Sequence, residues 1–213
     1  MQKFRTWRRK HMVLSRALLA AALIAAMGHT ARAEPSPPDS ALITAQVLQE
    51  INDWINTDIV RVSIIAQNKR YDHPGAASIA ALDSQWVKER ENPDKPLIAA
   101  TLSNPLSVYL SRMQGKSLGL YPEIFVMDQN GLNVGQSSIT SDFWQGDEDK
   151  FLKTFEVSAD AVFIDEAEYD SEFGIWRTQV SMTVNDADGG QKIGAVTVEL
   201  NLTELERRAS SGT

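Results

Sequence analysis

Four side chains within five positions can meet a small polar molecule: Ser141, Asp142, Trp144 and Gln145. They supply a hydroxyl, a carboxylate, an aromatic ring and an amide. A carboxylate balances an ammonium group, and an indole face forms an apolar or cation-binding wall. The set therefore suits an amine or another polar metabolite. Each residue also has an ordinary structural use: Asp142 can cap a helix, and Trp144 can fill a core. Farther along, Arg177 and Gln179 stand two apart, on one face of a strand. Arg177 can grip a carboxylate with two parallel hydrogen bonds, or pair across strands with Glu166 or Glu199. Tyr121 and Arg112 border the same region.

Other chemistries find less support. Asp165, Glu166, Glu168 and Asp170 form an acidic run. Paired carboxylates serve glycoside hydrolysis or calcium binding, but alternation puts Glu166 and Glu168 on one strand face with no convergent partner. Asp186 and Asp188-Gly189 resemble a fragment of an EF-hand loop, lack its later glutamate and read as a hairpin turn. The glycines, Gly135 among them, make no phosphate-binding pattern, and no G-x-S-x-G nucleophile motif occurs. Cysteine is absent and histidine occurs three times, at His11, His29 and His73. Disulfides, thiolate metal sites and cysteine nucleophiles are thereby excluded. The expectation is a protein that takes no cofactor or metal.

The elements that must position these residues follow a leader. Lys3, Arg5, Arg8, Arg9, Lys10 and Arg16 precede an apolar run at residues 17–27, and Ala31-Arg32-Ala33 is a small-x-small cleavage site. This pattern marks residues 1–33 as a secretory signal peptide. The apolar run is far shorter than the roughly 20 residues a spanning helix needs; a retained anchor is the alternative. His11 and His29 leave with the leader. Removing its seven basic residues from 21 leaves 14 against 28 acidic ones, a formal net charge of −14. Such a surface repels nucleic acid and anionic lipid. The expected location is the periplasm.

Residues 34–39 form a Pro-rich tether, and residues 40–213 one domain. Apolar residues at Val47, Leu48, Ile51, Trp54, Ile55, Ile59, Val62, Ile65 and Ala66 predict one helix over residues 40–68, about 43 Å long. Helices are expected over residues 79–92 and from Pro105, a residue suited to a first helical turn. Strands are expected at 124–127 and 132–136, with a turn in which Asn130 or Gly131 takes positive φ. A helix from Asp142 to about Phe155 comes next, then strands at 161–169, 174–185 and 192–202 and a last helix at 203–209. The fold class is α+β: a long N-terminal helix packed on a five-stranded antiparallel sheet.

Three patches give this order a family likeness: FVMDQNGLNVGQS from Phe125, SDFWQGDEDKF from Ser141, and the closing hairpin GIWRTQVSMTVND with KIGAVTVELNLTEL. Residues 121–205 resemble the PDC or Cache sensor domains, extracytoplasmic relatives of PAS domains, in their free-standing single-Cache form. The resemblance implies ligand capture between the sheet and the segment joining its second and third strands, here residues 137–155. Ser141, Asp142, Trp144 and Gln145 lie in that segment, and together with Arg177, Gln179 and Tyr121 they are the candidate ligand contacts. The resemblance implies an exported sensor, not an enzyme, that binds a small molecule and relays the signal through a separate membrane-bound partner (a sensor kinase, cyclase or chemoreceptor). The apolar stripe of the N-terminal helix can also form a homodimer. The alternative is a periplasmic interaction or dimerisation module with no ligand.

Overall fold

In the computed structural model, residues 35–212 are described. The leader and cleavage site expected at residues 1–33 lie outside them. A 3-10 turn, Ser40–Leu42, leads into α1 (Ala45–Ile55) and α2 (Asp58–Arg70). Then come α3 (Ala76–Glu91), α4 (Pro96–Leu102) and α5 (Pro105–Lys116). The sheet contains β1 (Ile124–Asp128), β2 (Asn133–Gln136), β3 (Val162–Ile164), β4 (Glu168–Asp170), β5 (Ile175–Asn185) and β6 (Lys192–Asn201). A one-turn helix, α6 (Asp149–Leu152), precedes β3, and α7 (Leu202–Ser211) follows β6. The fold class is α+β, as the sequence implies, with all strand pairs antiparallel in the order β2-β1-β6-β5-β3 and β4 also pairing β5.

The N-terminal helical segment is not one helix. Asn56 leaves helical geometry with ψ 51°, and Thr57 is extended. Asn56 Nδ2 donates to Asn52 Oδ1 at 2.6 Å, and Thr57 Oγ1 donates to the Trp54 carbonyl at 3.3 Å. Short polar side chains compete in this way with helical hydrogen bonding. The break also corrects a phase error. Ile51 and Ile55 are buried four apart, as are Val60 and Ile64. Ile55 to Val60 is five steps, which in an unbroken helix would turn Val60 away by about 140°. Val60 and Ile64 therefore face the core, whereas Val62 and Ile65, expected on the buried stripe, face outward.

Alternation in the long strands gives the sheet two unlike faces. Ile124, Val126, Val180, Met182, Val184, Val196, Val198 and Leu200 form one core with Ile51, Ile55, Val60 and Ile64 of α1 and α2 and Leu106 and Leu110 of α5. Full burial of such a side chain stabilises the fold by about 1.5–3 kcal/mol. The opposite face holds a smaller cluster, Phe125, Met127 and Ala195 under Phe151 and Phe155, and then turns polar. A third cluster, Trp86, Ile98, Leu132 and Phe143, joins α3 and α4 to the loop after β2.

Two further boundaries differ from expectation. The strand expected at 161–169 is split, because residues 165–167 leave the ladder between β3 and β4; the sheet has six strands rather than five. The helix expected from Asp142 shrinks to α6, with Glu148 and not Asp142 at its N-cap. Residues 142–146 instead lie along the β1–β2 turn, where Asn133 N donates to the Phe143 carbonyl and Gln145 N to the Gly131 carbonyl. Gly131 takes the positive φ, at 77°, and a Cβ there would sit 2.5 Å from Gly146 Cα. Asn104 caps α5 by accepting from Ser107 N and donates to the Val134 carbonyl, which ties α5 to β2.

Candidate functional site

The polar half of the second sheet face forms the floor of a cleft. Strand register sets it: Gln179 lies opposite Glu199, and Ser181 opposite Thr197. These residues share the face that carries Phe125, whose partners are Thr197 and Gln136. The walls are the α6 turn and the irregular segment between β3 and β4. The cleft holds about 240 Å³ and is lined by Glu148, Lys150, Asp165, Glu166, Glu168 and Thr178 together with Arg177, Gln179 and Glu199. A more open depression of about 580 Å³ adjoins it through Arg177 and Glu199, and adds Pro122, Glu123, Ser138 and Phe173.

Charge in the cleft is unevenly matched. Arg177 places one guanidinium nitrogen 2.7 Å from Asp170 and another 2.8 Å from Glu199. Lys150 sits 2.7 Å from Glu148. Both cations therefore already have carboxylate partners, while Glu123, Asp165, Glu166 and Glu168 form no ion pair among the described residues. Glu123 feels this most. Burial, and then the charge of Glu199, push its carboxyl up to about 7. Burial also raises Glu199, against the opposing pull of Arg177.

The seven candidate residues divide into four groups. Arg177 and Gln179 line the cleft. Asp142 and Gln145 stand behind it: the Gln145 amide donates to the Asp142 carboxylate, and Gln145 Oε1 accepts from Lys150 Nζ at 3.3 Å. They reach the cleft through Lys150. Ser141 is exposed, with its hydroxyl on Asp142. Trp144 and Tyr121 point elsewhere. The Trp144 ring packs with the Trp86 cluster, and its Nε1 donates to the Asn130 carbonyl at 2.8 Å. Tyr121 is in the helix-side core against Trp54, and burial raises its phenol.

The loop that carries Asp142 is held by α3. Asp83 accepts from the amides of Phe143 and Trp144, at 2.9 and 3.1 Å. Trp86 donates to the Thr140 carbonyl at 3.0 Å and stacks on Phe143. Arg90 donates to the Ser141 carbonyl at 3.0 Å. Sequence reasoning missed Glu123, Glu148 and Lys150 at the cleft, and α3 as the clamp. A partial signal existed for Glu199, whose place on the polar face of β6 follows from alternation. Among the described residues no three His, Cys, Asp or Glu side chains are arranged to hold a metal ion, and no helix is long and apolar enough to cross a membrane.

No family model and no curated protein matches the chain. Solved structures similar to it include the ligand-binding domain of the Pseudomonas aeruginosa PAO1 amino acid chemoreceptor PctC in complex with GABA, at 18% identity over 75% of this chain and 62% of that one, with a TM-score of 0.34. The sensor domain of the V. cholerae histidine kinase DctB is 16% identical over 76% of this chain and 58% of that one, with a TM-score of 0.36. The sensory domain of the Campylobacter jejuni chemoreceptor Tlp3 is 13% identical over 76% and 63%, with a TM-score of 0.36. The chain thus spans about six-tenths of the length of the sensory domains it matches. At such identities and scores the likeness assigns neither a family nor a ligand.

Proposed function

We propose that this chain is an extracytoplasmic sensor module that captures a small amine in the cleft against the sheet and passes the signal to a separate membrane-bound partner. It is not an enzyme in this reading. The observation that carries the proposal is the charge of the cleft: both of its cations are paired, and four carboxylates at its floor and rim are not. An ammonium group supplies the missing charge, and the Phe173 ring and Pro122 offer apolar contact to its carbon body. Gln179 adds a neutral donor and acceptor.

Ligand capture must favour one arrangement of the protein over another to act as a signal. The chain Lys150, Gln145, Asp142 links the cleft to the loop that α3 clamps. An ammonium that competes with Lys150 for Glu148 frees Lys150 from that chain and loosens the loop. The test is a thermal-shift and calorimetric screen of the full chain against amines, amino acids, carboxylates, purines and divalent cations. Amines should stabilise the fold dose-dependently, by about 2.7 kcal/mol at roughly 100 times Kd. Glu199→Gln should weaken that response. A response confined to carboxylates, or none from folded protein, would overturn the proposal.

A second reading, an interaction module without a small-molecule ligand, is favoured by α2. Val62 and Ile65, three apart on one helical face, are 63% and 41% exposed. That reading predicts concentration-dependent self-association that Val62→Asp abolishes, with no ligand response.

A further inference from the structure

The β3 edge of the sheet carries a different feature. β3 pairs with β5 on one side only, at the end of the sheet. Thr183 N donates to the Ala161 carbonyl and Asp165 N to the Gln179 carbonyl. With the register Val162–Met182, Phe163–Ser181 and Ile164–Val180, the backbone groups of Val162 and Ile164 are the ones turned outward. No hydrogen bond engages them among the described residues. Their side chains, 45% and 37% exposed, lie on the sheet face that carries α1.

Beside this edge runs a groove of about 420 Å³ between α1 and the sheet. Leu48, Val162 and Met182 give it apolar surface, and Gln49, Asn52 and Asn185 give it carboxamides. A free strand edge next to a groove of alternating character is the arrangement that accepts an added strand, with backbone bonds to the edge and every second side chain in the groove.

Charge chooses the occupant. Asp160 lines the groove, and Asp53 on α1 accepts from the groove's Gln49 at 2.7 Å; both carboxylates are exposed, and neither forms an ion pair among the described residues. Lys192, paired with Asn185 in the ladder, turns to the other face against the Phe155 ring. A second copy is disfavoured: a two-fold pairing of β3 about Phe163 opposes Asp160 to Glu166 of its copy, and like charges so placed repel. We propose that the β3 edge and the α1 groove form a docking surface for an extended, lysine- or arginine-bearing segment of a partner protein, which joins the sheet as a strand antiparallel or parallel to β3.

The proposal is independent of the amine cleft and is tested without it. The probe is a capped peptide of alternating valine and threonine with lysine at both ends, titrated into the full chain by calorimetry and followed at the amides of Val162 and Ile164. Saturable binding is expected. Methylating alternate peptide nitrogens, replacing the lysines by glutamates, or Asp53→Lys with Asp160→Lys should each weaken it about tenfold or more, the effect of losing one or two good contacts. Ile164→Pro should do the same, since it removes an outward N–H and no ladder bond; the methylated peptide makes the same test with the protein unaltered. Equal binding of the methylated or glutamate peptide, or no binding of the lysine peptide, would overturn the proposal. So would a dimer that forms with concentration and is lost in Ile164→Pro, which would assign the edge to a second copy.

Discussion

Arg177 reaches diagonally across the ladder to Glu199: its guanidinium lies 2.8 Å from the carboxylate, although its own cross-strand neighbour is Asn201 and that of Glu199 is Gln179. The same guanidinium holds Asp170, so one side chain joins β4, β5 and β6. Both carboxylates are largely buried, while Arg177 is 36% exposed. Arg177→Met should therefore cost about 1–2 kcal/mol of stability, less than a fully buried pair because water screens the guanidinium. Urea denaturation at pH 7 measures this. The same variant leaves two more carboxylates unpaired and should tighten amine binding.

Glu123 makes stability depend on pH in a stated direction. Its folded value of about 7 lies above the ordinary 4.5. Between those values the folded protein retains a proton that the unfolded chain has released. Stability should then fall as pH rises from about 4.5 to 7 and stay lower above, by about 1–3 kcal/mol for this group. Glu123→Gln should flatten that part of the profile and stabilise the protein above pH 7. Urea midpoints across the range test the sign; an unchanged slope in the variant would contradict it. Amine affinity should rise through the same window as Glu123 becomes charged.

The clamp on the loop is open to hydrogen exchange. Asp83→Ala removes the acceptor for two adjacent amides, Phe143 and Trp144. Those two amides should exchange faster while the β5–β6 ladder keeps its protection, because local opening does not require global unfolding. Uniform acceleration across the domain would instead make Asp83 a general stability residue.

Trp86→Ala should be far more damaging. The ring is fully buried, stacks on Phe143 and donates to Thr140. A cavity and an unpaired carbonyl together should cost about 3–5 kcal/mol. The expected result is a lower urea midpoint with the amine response also reduced, since the loop behind the cleft loses its support.

Gly194 sets a limit on the sheet. A Cβ at this position would lie 2.1 Å from the Met127 carbonyl oxygen and 3.1 Å from Ile64. Gly194→Ala should destabilise by about 1–3 kcal/mol or more, because backbone rather than a flexible side chain must move. Thermal unfolding checks it.

Several features were legible in the sequence by itself. Strict alternation in β5 and β6 marked two strands with unlike faces, and Asp186 through Gly190 marked the turn between them. Pro105 after Asn104 marked a helix start, and Asn130-Gly131 a left-handed turn. Each rests on local chemistry, a side-chain period of two, a fixed φ or a missing Cβ, which neighbouring residues alone dictate. The place of Arg177 and Gln179 on a polar strand face was legible for the same reason. Tertiary structure decided the rest. The helix break at Asn56 and Thr57 is needed only because both halves must face one sheet. Asp142 looked like a cap, but residues 142–146 are drawn into pairing with the β1–β2 turn. Trp144 is turned into a core by residues of α3. Glu123 and Glu199 are remote in sequence and share a charged floor only because β6 lies beside β1. Long-range pairing brings such groups together, and no local pattern records it.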